Sequence, residues 1–225
     1  MAASQHAPLA IMRGTVRDRM AVIEPHARNR SVLDVGCVDA RPDREDSAAR
    51  LNRKEDLLFR SLAACCSDLV GVDIDTEGVS VLKERGHNVV CADASTMDLG
   101  RAFDVIVAGE VIEHVSDAHA FLTNLAAHMH ERSVLVVSTP NPFHSKQIRR
   151  IYRHGRPAVH EQHVAWYDPI TLQAALRRAG LVAFEGWWVQ PRRSLLKTWR
   201  RLLRAYFSHS FVLLARRADQ AAPPE

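Results

Sequence analysis

Short apolar segments alternate with helical stretches along the middle of the chain. Five of these segments have the length and composition of buried strands, at residues 31–36, 69–74, 88–91, 103–108 and 133–138. The stretches between them place apolar residues three and four positions apart, which is the spacing of one helix face. A strand, a helix and a second strand in succession form a right-handed crossover between parallel strands. The pattern predicts an α/β fold, a Rossmann-like doubly wound sheet with helices on both faces.

The two ends of the chain extend this pattern. A helical cap is predicted over residues 1–30, where apolar residues recur at helical spacing: Leu9, Met12, Val16, Met20 and Ile23. Two further apolar segments, 181–189 and 211–216, bring the predicted, mostly parallel sheet to about seven strands. A single domain over residues 1–217 follows, and residues 218–225 are expected to be a disordered tail.

Acidic residues follow several of the predicted strands. Because ligands bind beyond the carboxyl ends of the strands in such a sheet, these residues are candidates to line a site: Asp34, Asp73, Asp93, Glu110 and Glu113. Carboxylates there would repel a phosphate and suit a ligand with hydroxyls, an amine and a cationic centre. A dinucleotide also needs a second glycine in the first loop, where this chain has Val38, so a nicotinamide cofactor is disfavoured.

The motif Glu110-x-x-Glu113-His114 follows the fourth predicted strand. On a helical turn these side chains would share one face and, with His163, hold a hard divalent cation such as Mg²⁺ or Mn²⁺. Such an ion would lower the pKa of a bound hydroxyl. Alternatively, His114 or His163 acts as a general base without metal, or the carboxylates only complement a helix N-terminus. The sequence leaves the three alternatives open, and with them the identity of any metal ligand.

Several motifs, in order over residues 30–190, resemble class I S-adenosylmethionine-dependent methyltransferases, in the branch of ubiquinone-pathway and sugar O-methyltransferases. They are V-L-D-V-G-C, G-V-D-I-D, A-D-A, F-D-V-I-V-A-G-E-V-I-E-H-V and V-S-T-P-N-P-F, followed by H-V-A-W-Y-D-P-I-T-L and A-G-L. The resemblance implies S-adenosylmethionine as cofactor. It implies that Asp34 and Gly36 serve the methionine end, while Asp73 serves the ribose hydroxyls and Asp93 the adenine amino group. The remaining implied cofactor-binding positions are Cys37, Ile74, Ala94 and Glu110.

The expected function is methyl transfer to an oxygen of a sugar, glycan or other small molecule, with four candidate catalytic residues: Glu110, Glu113, His114 and His163. On this reading residues 1–30 are the cap, 31–139 the cofactor-binding core, and 140–217 a substrate-side lid with the last strands. Two alternatives remain. The first is an RNA ribose 2′-O-methyltransferase with a divalent metal, since the E-x-x-E-H motif with a later histidine resembles the metal site of small-RNA 3′-terminal ribose methyltransferases. The second is a non-catalytic binding module with the cofactor fold, since Val38 stands where the family usually has its second glycine.

Charge is distributed unevenly along the 225 residues. Residues 1–143 carry 15 Lys and Arg against 21 Asp and Glu, whereas residues 144–217 carry 15 against 3. Because the basic segment covers the acceptor side, it predicts an anionic acceptor and makes nucleic acid a possible but less favoured partner. A basic lid is expected after the fifth strand, formed by His144, Lys146, Arg149, Arg150, Arg153, His154, Arg156 and His160.

Residues 192–207 predict a basic amphipathic helix that could cap the substrate pocket, contact an anionic membrane surface or pack on the domain. No apolar run approaches the roughly 20 residues of a transmembrane segment. Four cysteines lack the spacing of a metal or disulfide framework, so a cytoplasmic protein without structural zinc is expected.

Overall fold

The computed structural model describes residues 9–39, 51, 58–190 and 205–220 of the chain. Its strands are β1 (Met12–Val16), β2 (Ser31–Val35), β3 (Asp68–Asp73), β4 (Val89–Cys91), β5 (Phe103–Gly109), β6 (Met129–Pro140), β7 (Leu181–Val189) and β8 (Ser210–Arg217). Its helices are α1 (Met20–Ala27), α2 (Leu58–Ala63), α3 (Thr76–Glu84), α4 (Ala118–Ala127), α5 (Ser145–His154) and α6 (Pro169–Arg178). Short 3-10 turns span Ile112–His114 and Ala218–Gln220.

The described strands form one sheet in the order β1-β7-β8-β6-β5-β2-β3-β4. Strand β8 runs antiparallel to β6 and β7, and the other pairings are parallel. Apolar side chains of successive residues alternate between the two faces, so Leu33 and Ile106 pack on one side with α4 and α6, while Val32 and Val105 pack on the other with α1 and α2. The predicted Rossmann-like fold, with a mostly parallel sheet and helices on both faces, is confirmed.

The sheet has eight strands rather than about seven, because the predicted N-terminal cap is wrong over residues 12–16. These residues form β1 beside β7. Within the predicted cap, the α-helix of the described residues covers only Met20–Ala27. Positions 12, 14 and 16 are partly buried while positions 13 and 15 are exposed, which is the two-residue period of a strand. The spacing from Leu9 to Met12 to Val16 also fits one face of a helix. Apolar periodicity alone therefore predicted a helix where the chain forms a strand.

Other predicted boundaries also shift. The strand expected at 133–138 extends over Met129–Pro140, and the helix that apolar spacing predicts over 117–130 begins at Ala118 and ends at Ala127. Apolar spacing also predicts a helix over 47–66; the structure shows helix at Leu51 and Leu58–Ala63, residues 64–66 follow its end, and the remaining positions lie outside the described residues. Most of the predicted 192–207 helix and residues 221–225 of the tail lie outside them as well, whereas residues 218–220 form a 3-10 turn. None of the described helices has the length and apolar character of a membrane span.

Candidate active site

A cavity of about 530 Å³ opens at the carboxyl ends of β2, β3 and β4. Among the residues of its wall are Gly36, Asp73, Ile74, Asp93, Ala94 and His114. These positions come from four separate segments of the sequence, and the parallel arrangement of the strands brings their ends to one edge of the sheet. The fold thus assembles most of the residues predicted to bind the cofactor around one open space.

The loop after β2 depends on the absence of a side chain at Gly36. The φ angle of Gly36 is +78°, and a Cβ added there would lie 2.6 Å from Val111 Cγ2. The backbone N–H of Gly36 donates to the carbonyl of Val72 at 2.8 Å, which holds the loop against β3. A larger residue at position 36 would therefore be strained and would push the loop and the turn after β5 apart.

Val38, which replaces the second glycine of the related motif, is accommodated by a glycine elsewhere. Its side chain is fully buried, and its backbone N–H donates to Asp73 Oδ2 at 2.9 Å. A Cβ added at Gly78, in the first turn of α3, would lie only 2.2 Å from Val38 Cγ1. The missing glycine of the loop is matched by a glycine in the facing helix, so the loop keeps its contact with Asp73.

The two aspartates at the end of β3 have different roles. Asp75 caps α3 and accepts hydrogen bonds from the N–H groups of Glu77 and Gly78. Asp73 lines the cavity, and burial raises its pKa against the opposing effect of hydrogen bonds from the N–H groups of Asp75 and Val38. Since only Asp73 faces the open space, it is the better placed of the two to bind the hydroxyls of a ligand.

The remaining implied cofactor positions contribute in different ways. Asp93 lines the cavity and also accepts a hydrogen bond from the N–H of Ser95 at 2.7 Å. Ile74 is 73% exposed at the cavity rim, where its apolar surface can cover a flat ring. Ala94 lies in the wall, whereas Cys37 is buried and packs in a core cluster with Val38 and Phe59. Cys37 is not in the wall of the main cavity but lines the smaller space beside Gly36.

A smaller space of about 90 Å³ next to Gly36 contains opposed charges. Asp34 is 1% exposed, and burial raises its pKa to about 8. Neither carboxyl oxygen of Asp34 has a hydrogen-bond partner among the described residues, and the same holds for Nη1 of Arg19. That Nη1 atom lies 3.9 Å from Oε1 of Glu110. Buried polar atoms without partners are rare, and those around this space indicate a site for a polar ligand or water.

A second cavity of about 510 Å³ adjoins the first and shares Gly36, Asp73, Ile74 and His114 with it. The rings of His114 and His163 have centroids 4.6 Å apart, and His160 completes a cluster of three imidazoles at this cavity. Burial and the neighbouring rings lower the pKa of His163 to about 4, and burial lowers the pKa of His114. The imidazoles of His114 and His163 are therefore neutral at pH 7, and each has a ring nitrogen lone pair to offer a ligand.

The motif predicted that Glu110, Glu113 and His114 share one helical face, and this prediction is wrong. Strand β5 ends at Gly109, Glu110 has a φ of +59°, and the turn that follows is a 3-10 turn of three residues. Glu110 lies toward Arg19, whereas Glu113 is buried and accepts a hydrogen bond from Thr139 Oγ1 at 3.0 Å. Burial raises the pKa of Glu113 to about 7. Of the described residues, the group that could hold a metal is His114, His160 and His163, without either glutamate.

A third space of about 390 Å³ lies along α5 and is strongly basic. Its wall is formed by His144, Lys146, Gln147, Arg149, Arg150, Arg153, His154, Ala158 and His209. The predicted basic lid is assembled here, except that Arg156 is not in the wall and His160 belongs to the histidine cluster. Gln147 holds the segment at Ala158 with two hydrogen bonds, and both residues also line a small space that includes His163.

Sequence reasoning missed Arg19, His209 and the place of His160. Arg19 was hidden by the predicted cap, although a strand ending at Val16 would have placed it at the carboxyl edge of the sheet. The H-x-x-H spacing of His160 and His163 was an available signal for a shared site. No local pattern could have brought His209 next to His144, since antiparallel pairing of β6 with β8 does so.

Comparison with known proteins identifies related sequences and folds. A family model described as "Methyltransferase domain" matches residues 9–185. The ubiquinone biosynthesis O-methyltransferase of Bradyrhizobium sp. (strain ORS 278) is 37% identical over 91 residues, which are 38% of this chain and 36% of that relative. The matched part thus spans about a third of that curated relative's length.

Solved structures share the fold at low sequence identity. An S-adenosylmethionine-dependent methyltransferase from Mesorhizobium loti superposes with a TM-score of 0.58 at 14% identity, over 88% of this chain and 95% of the other. The N-methyltransferase NodS from Bradyrhizobium japonicum WM9, solved with S-adenosyl-L-homocysteine, has a TM-score of 0.53 at 16% identity, over 88% and 84%. These likenesses bear on the fold alone.

Proposed function

The chain belongs to the methyltransferase-domain family and has the fold of class I S-adenosylmethionine-dependent methyltransferases; on that premise we propose that it methylates an oxygen atom of a small anionic molecule. The cofactor assignment is carried by the two carboxyl oxygens of Asp34 and by Nη1 of Arg19, buried atoms beside Gly36 that have no hydrogen-bond partner among the described residues. A methionine end group offers an ammonium and a carboxylate, which match an aspartate and an arginine respectively. The name of the curated relative supports oxygen as the methylated atom.

The rest of the cofactor matches the larger cavity. Asp73 would accept hydrogen bonds from the ribose hydroxyls, Asp93 would accept one from the adenine amino group, and Ile74 would cover the adenine ring. When bound, S-adenosylmethionine supplies an electrophilic methyl group carried on a positively charged sulfur. Acidic residues along the cavity suit that positive charge, whereas they would repel the pyrophosphate of a dinucleotide.

The acceptor would occupy the second cavity, because that cavity adjoins the first at His114. The protein would hold the acceptor hydroxyl in line with the methyl group and exclude water, which accounts for much of the rate of such transfers. The acceptor proton would leave at the histidine cluster, where the neutral imidazoles of His114 and His163 line this cavity. A small space lined by Gln147, Ala158 and His163 lies between the second cavity and the basic space along α5. An acceptor could therefore extend from the histidines toward α5.

The basic space along α5 supports an acceptor with a phosphate or carboxylate group. Lys146, Arg149, Arg150 and Arg153 line one wall, and burial and the charges of His209 and Lys146 lower the pKa of His144 to about 4. No described Asp or Glu lines that wall, so the cations are left to attract an anionic ligand. Arginines hold the oxygens of such groups through paired hydrogen bonds.

The cofactor proposal is tested by titration calorimetry with S-adenosyl-L-homocysteine. We expect the wild type to bind it and Gly36→Ala to lose at least about tenfold in affinity, because the new Cβ would meet Val111. Gly86→Ala is the matched control, since Gly86 has nearly the same φ, +80°, but nothing within 4 Å of an added Cβ. Absence of binding to the wild type, or equal losses in the two variants, would contradict the proposal.

The acceptor proposal is tested with matched pairs, such as a neutral sugar and its phosphate ester, and radiolabelled S-adenosylmethionine. We expect label to pass to the anionic member, and Arg150→Gln with Arg153→Gln to raise KM for that member at least about fivefold with little change in kcat. Arg177→Gln, on the exposed surface of α6, should leave both parameters unchanged. Preference for the neutral member, or transfer of label to RNA instead, would overturn the small-anion proposal.

A further inference from the structure

Three histidines from two segments of the chain converge at the second cavity. One ligand atom each from His114, His160 and His163 lies within 4.8 Å of the others. A tetrahedral ion with metal–nitrogen bonds of about 2.1 Å places its ligand nitrogens about 3.4 Å apart. Rotation of the side chains by about an ångström would therefore bring the three imidazoles onto a single ion.

Backbone hydrogen bonds hold the two segments in this arrangement. The N–H of His163 donates to the carbonyl of His160 at 3.0 Å and closes the turn that carries both rings. The N–H groups of Val164 and Ala165 donate to the carbonyl of Glu113 at 2.9 and 3.2 Å, which ties this turn to the segment that carries His114. The cluster is thus positioned by the fold and not by contacts among the rings alone.

The orientation of His114 also resembles that of a metal ligand. Its Nδ1 lies 3.2 Å from the carbonyl oxygen of Gln162, so that nitrogen carries the proton and Nε2 presents its lone pair. Ligating histidines usually donate their second N–H to a carbonyl or carboxylate in this way. The hydrogen bond selects the tautomer that can bind a metal.

The ligand chemistry selects the class of ion. Glu110 and Glu113 are not part of the cluster in the described structure, so it offers three nitrogen ligands and no carboxylate. Imidazole suits Zn²⁺, Co²⁺ and similar ions, whereas Mg²⁺ and Mn²⁺ prefer oxygen ligands. Three protein ligands with a fourth position open is the usual form of a catalytic zinc site.

We propose that His114, His160 and His163 bind a divalent ion of the zinc class, with its open coordination position facing the second cavity. The role of the ion rests on the proposed methyl transfer: an acceptor hydroxyl would bind at the open position, its O–H bond would break, and the proton would pass to solvent water. The alkoxide or phenolate held on the metal would then be the nucleophile. The three histidines would then act as ligands of the ion that lowers the pKa of the bound hydroxyl, and not as proton acceptors themselves.

The test is titration of the whole, chelator-treated chain with Zn²⁺ by calorimetry and with Co²⁺ by visible absorption. We expect one equivalent to bind tightly, the Co²⁺ form to show the strong visible bands of a tetrahedral site, and millimolar Mg²⁺ not to compete. His160→Ala and His163→Ala should each weaken binding at least about tenfold. His119→Ala, which removes an exposed histidine of α4 outside the cluster, should bind as the wild type does.

Two outcomes would overturn the site: no binding to the wild type, or equal affinity in the wild type and the cluster variants. Titration of the same samples with S-adenosyl-L-homocysteine shows whether the variants retain their fold and separates the two proposals. Zn²⁺ binding without cofactor binding would leave the metal site and refute the methyl-transfer role. Cofactor binding without Zn²⁺ binding would refute the metal site and leave the proposed function intact.

Discussion

Replacement of Asp34 by asparagine should stabilise the protein without its cofactor and weaken cofactor binding. The carboxyl group is 1% exposed, neither oxygen has a hydrogen-bond partner among the described residues, and its pKa is raised to about 8. Burial is the main cause of the raised pKa, and Arg19 offsets it only in part. Ionisation of Asp34 is therefore unfavourable in the folded state unless a bound cation compensates it.

The sign and size of the effect follow from the raised pKa. In the unfolded chain an aspartate ionises near pH 4, so between pH 4 and 8 unfolding releases a proton and stability falls as the pH rises. Between pH 5 and pH 8, an interval of about three pH units, Asp34 is ionised in the unfolded chain and largely protonated in the folded one. The free energy of unfolding of the wild type should therefore fall by about 4 kcal/mol over this interval. Asparagine does not titrate, so the advantage of Asp34→Asn over the wild type should grow by about this amount.

The assay is urea unfolding of the wild type and of Asp34→Asn at pH 5 and pH 8, without cofactor. Asp68→Asn serves as control, because Asp68 forms an exposed ion pair with Arg101 whose loss should cost at most about 1 kcal/mol at either pH. A stability difference between the wild type and Asp34→Asn that stays constant from pH 5 to pH 8, or shrinks, would refute the reasoning. In calorimetry, Asp34→Asn should bind S-adenosyl-L-homocysteine at least about tenfold more weakly, because a charge-assisted hydrogen bond is lost.

Three further predictions concern two contacts at the cofactor cavity and one at the opposite edge of the sheet. Gly78→Ala should lower the free energy of unfolding by about 1–3 kcal/mol, since its Cβ would meet Val38 Cγ1. Adding Val38→Gly should restore most of the loss, and urea titration of the single and double variants measures both effects. Asp73→Ala should abolish calorimetric binding of S-adenosyl-L-homocysteine, and retained affinity would contradict the ribose contact. Asp104→Asn should lower the free energy of unfolding by about 1 kcal/mol at pH 7 and by little at pH 3. Hydrogen bonds from Ser31 lower the pKa of Asp104, so the stabilising effect of the carboxylate exists above pH 4 and is lost as the pH falls. Measurement of the unfolding free energy from pH 7 to pH 3 checks this.

The two cavities proposed for cofactor and acceptor differ in the charge of the residues around them. Acidic positions line the first cavity, and the basic wall along α5 lies on the side of β6 that carries the proposed acceptor. A cofactor with a positive centre and an acceptor with a negative group could then bind to adjoining cavities without competing for the same charges.

Much of the cofactor site could be predicted from the sequence because each of its positions follows directly from a strand. Asp34, Asp73 and Asp93 stand at or just after the ends of apolar segments, and parallel strands bring such ends to one edge. The preference for Asp73 over Asp75 came from the resemblance of G-V-D-I-D to the methyltransferase motif, because residues two positions apart would share one face of a strand. The capping hydrogen bonds of Asp75 give the physical reason, since they direct it to the helix and leave Asp73 at the cavity.

The catalytic side was less predictable because its residues are related by contacts and not by local periodicity. The E-x-x-E-H motif indicated one helical face, but the backbone after Gly109 forms a 3-10 turn and separates Glu110, Glu113 and His114. The N-terminal strand was misread since Met12 and Val16 satisfy both a helical and a strand spacing, and only pairing with β7 decides between them.

By itself the sequence determined the α/β class, the succession of the core strands along the chain and the acidic residues at their ends, because these depend on local apolar periodicity and on residues next to strand ends. Only the tertiary structure decided which distant side chains meet. It placed Arg19 beside Glu110, matched Val38 with Gly78, and joined His160 to His114 and His163. Such contacts are set by how the loops pack at the sheet edge, and loop packing leaves no periodic signal in the chain.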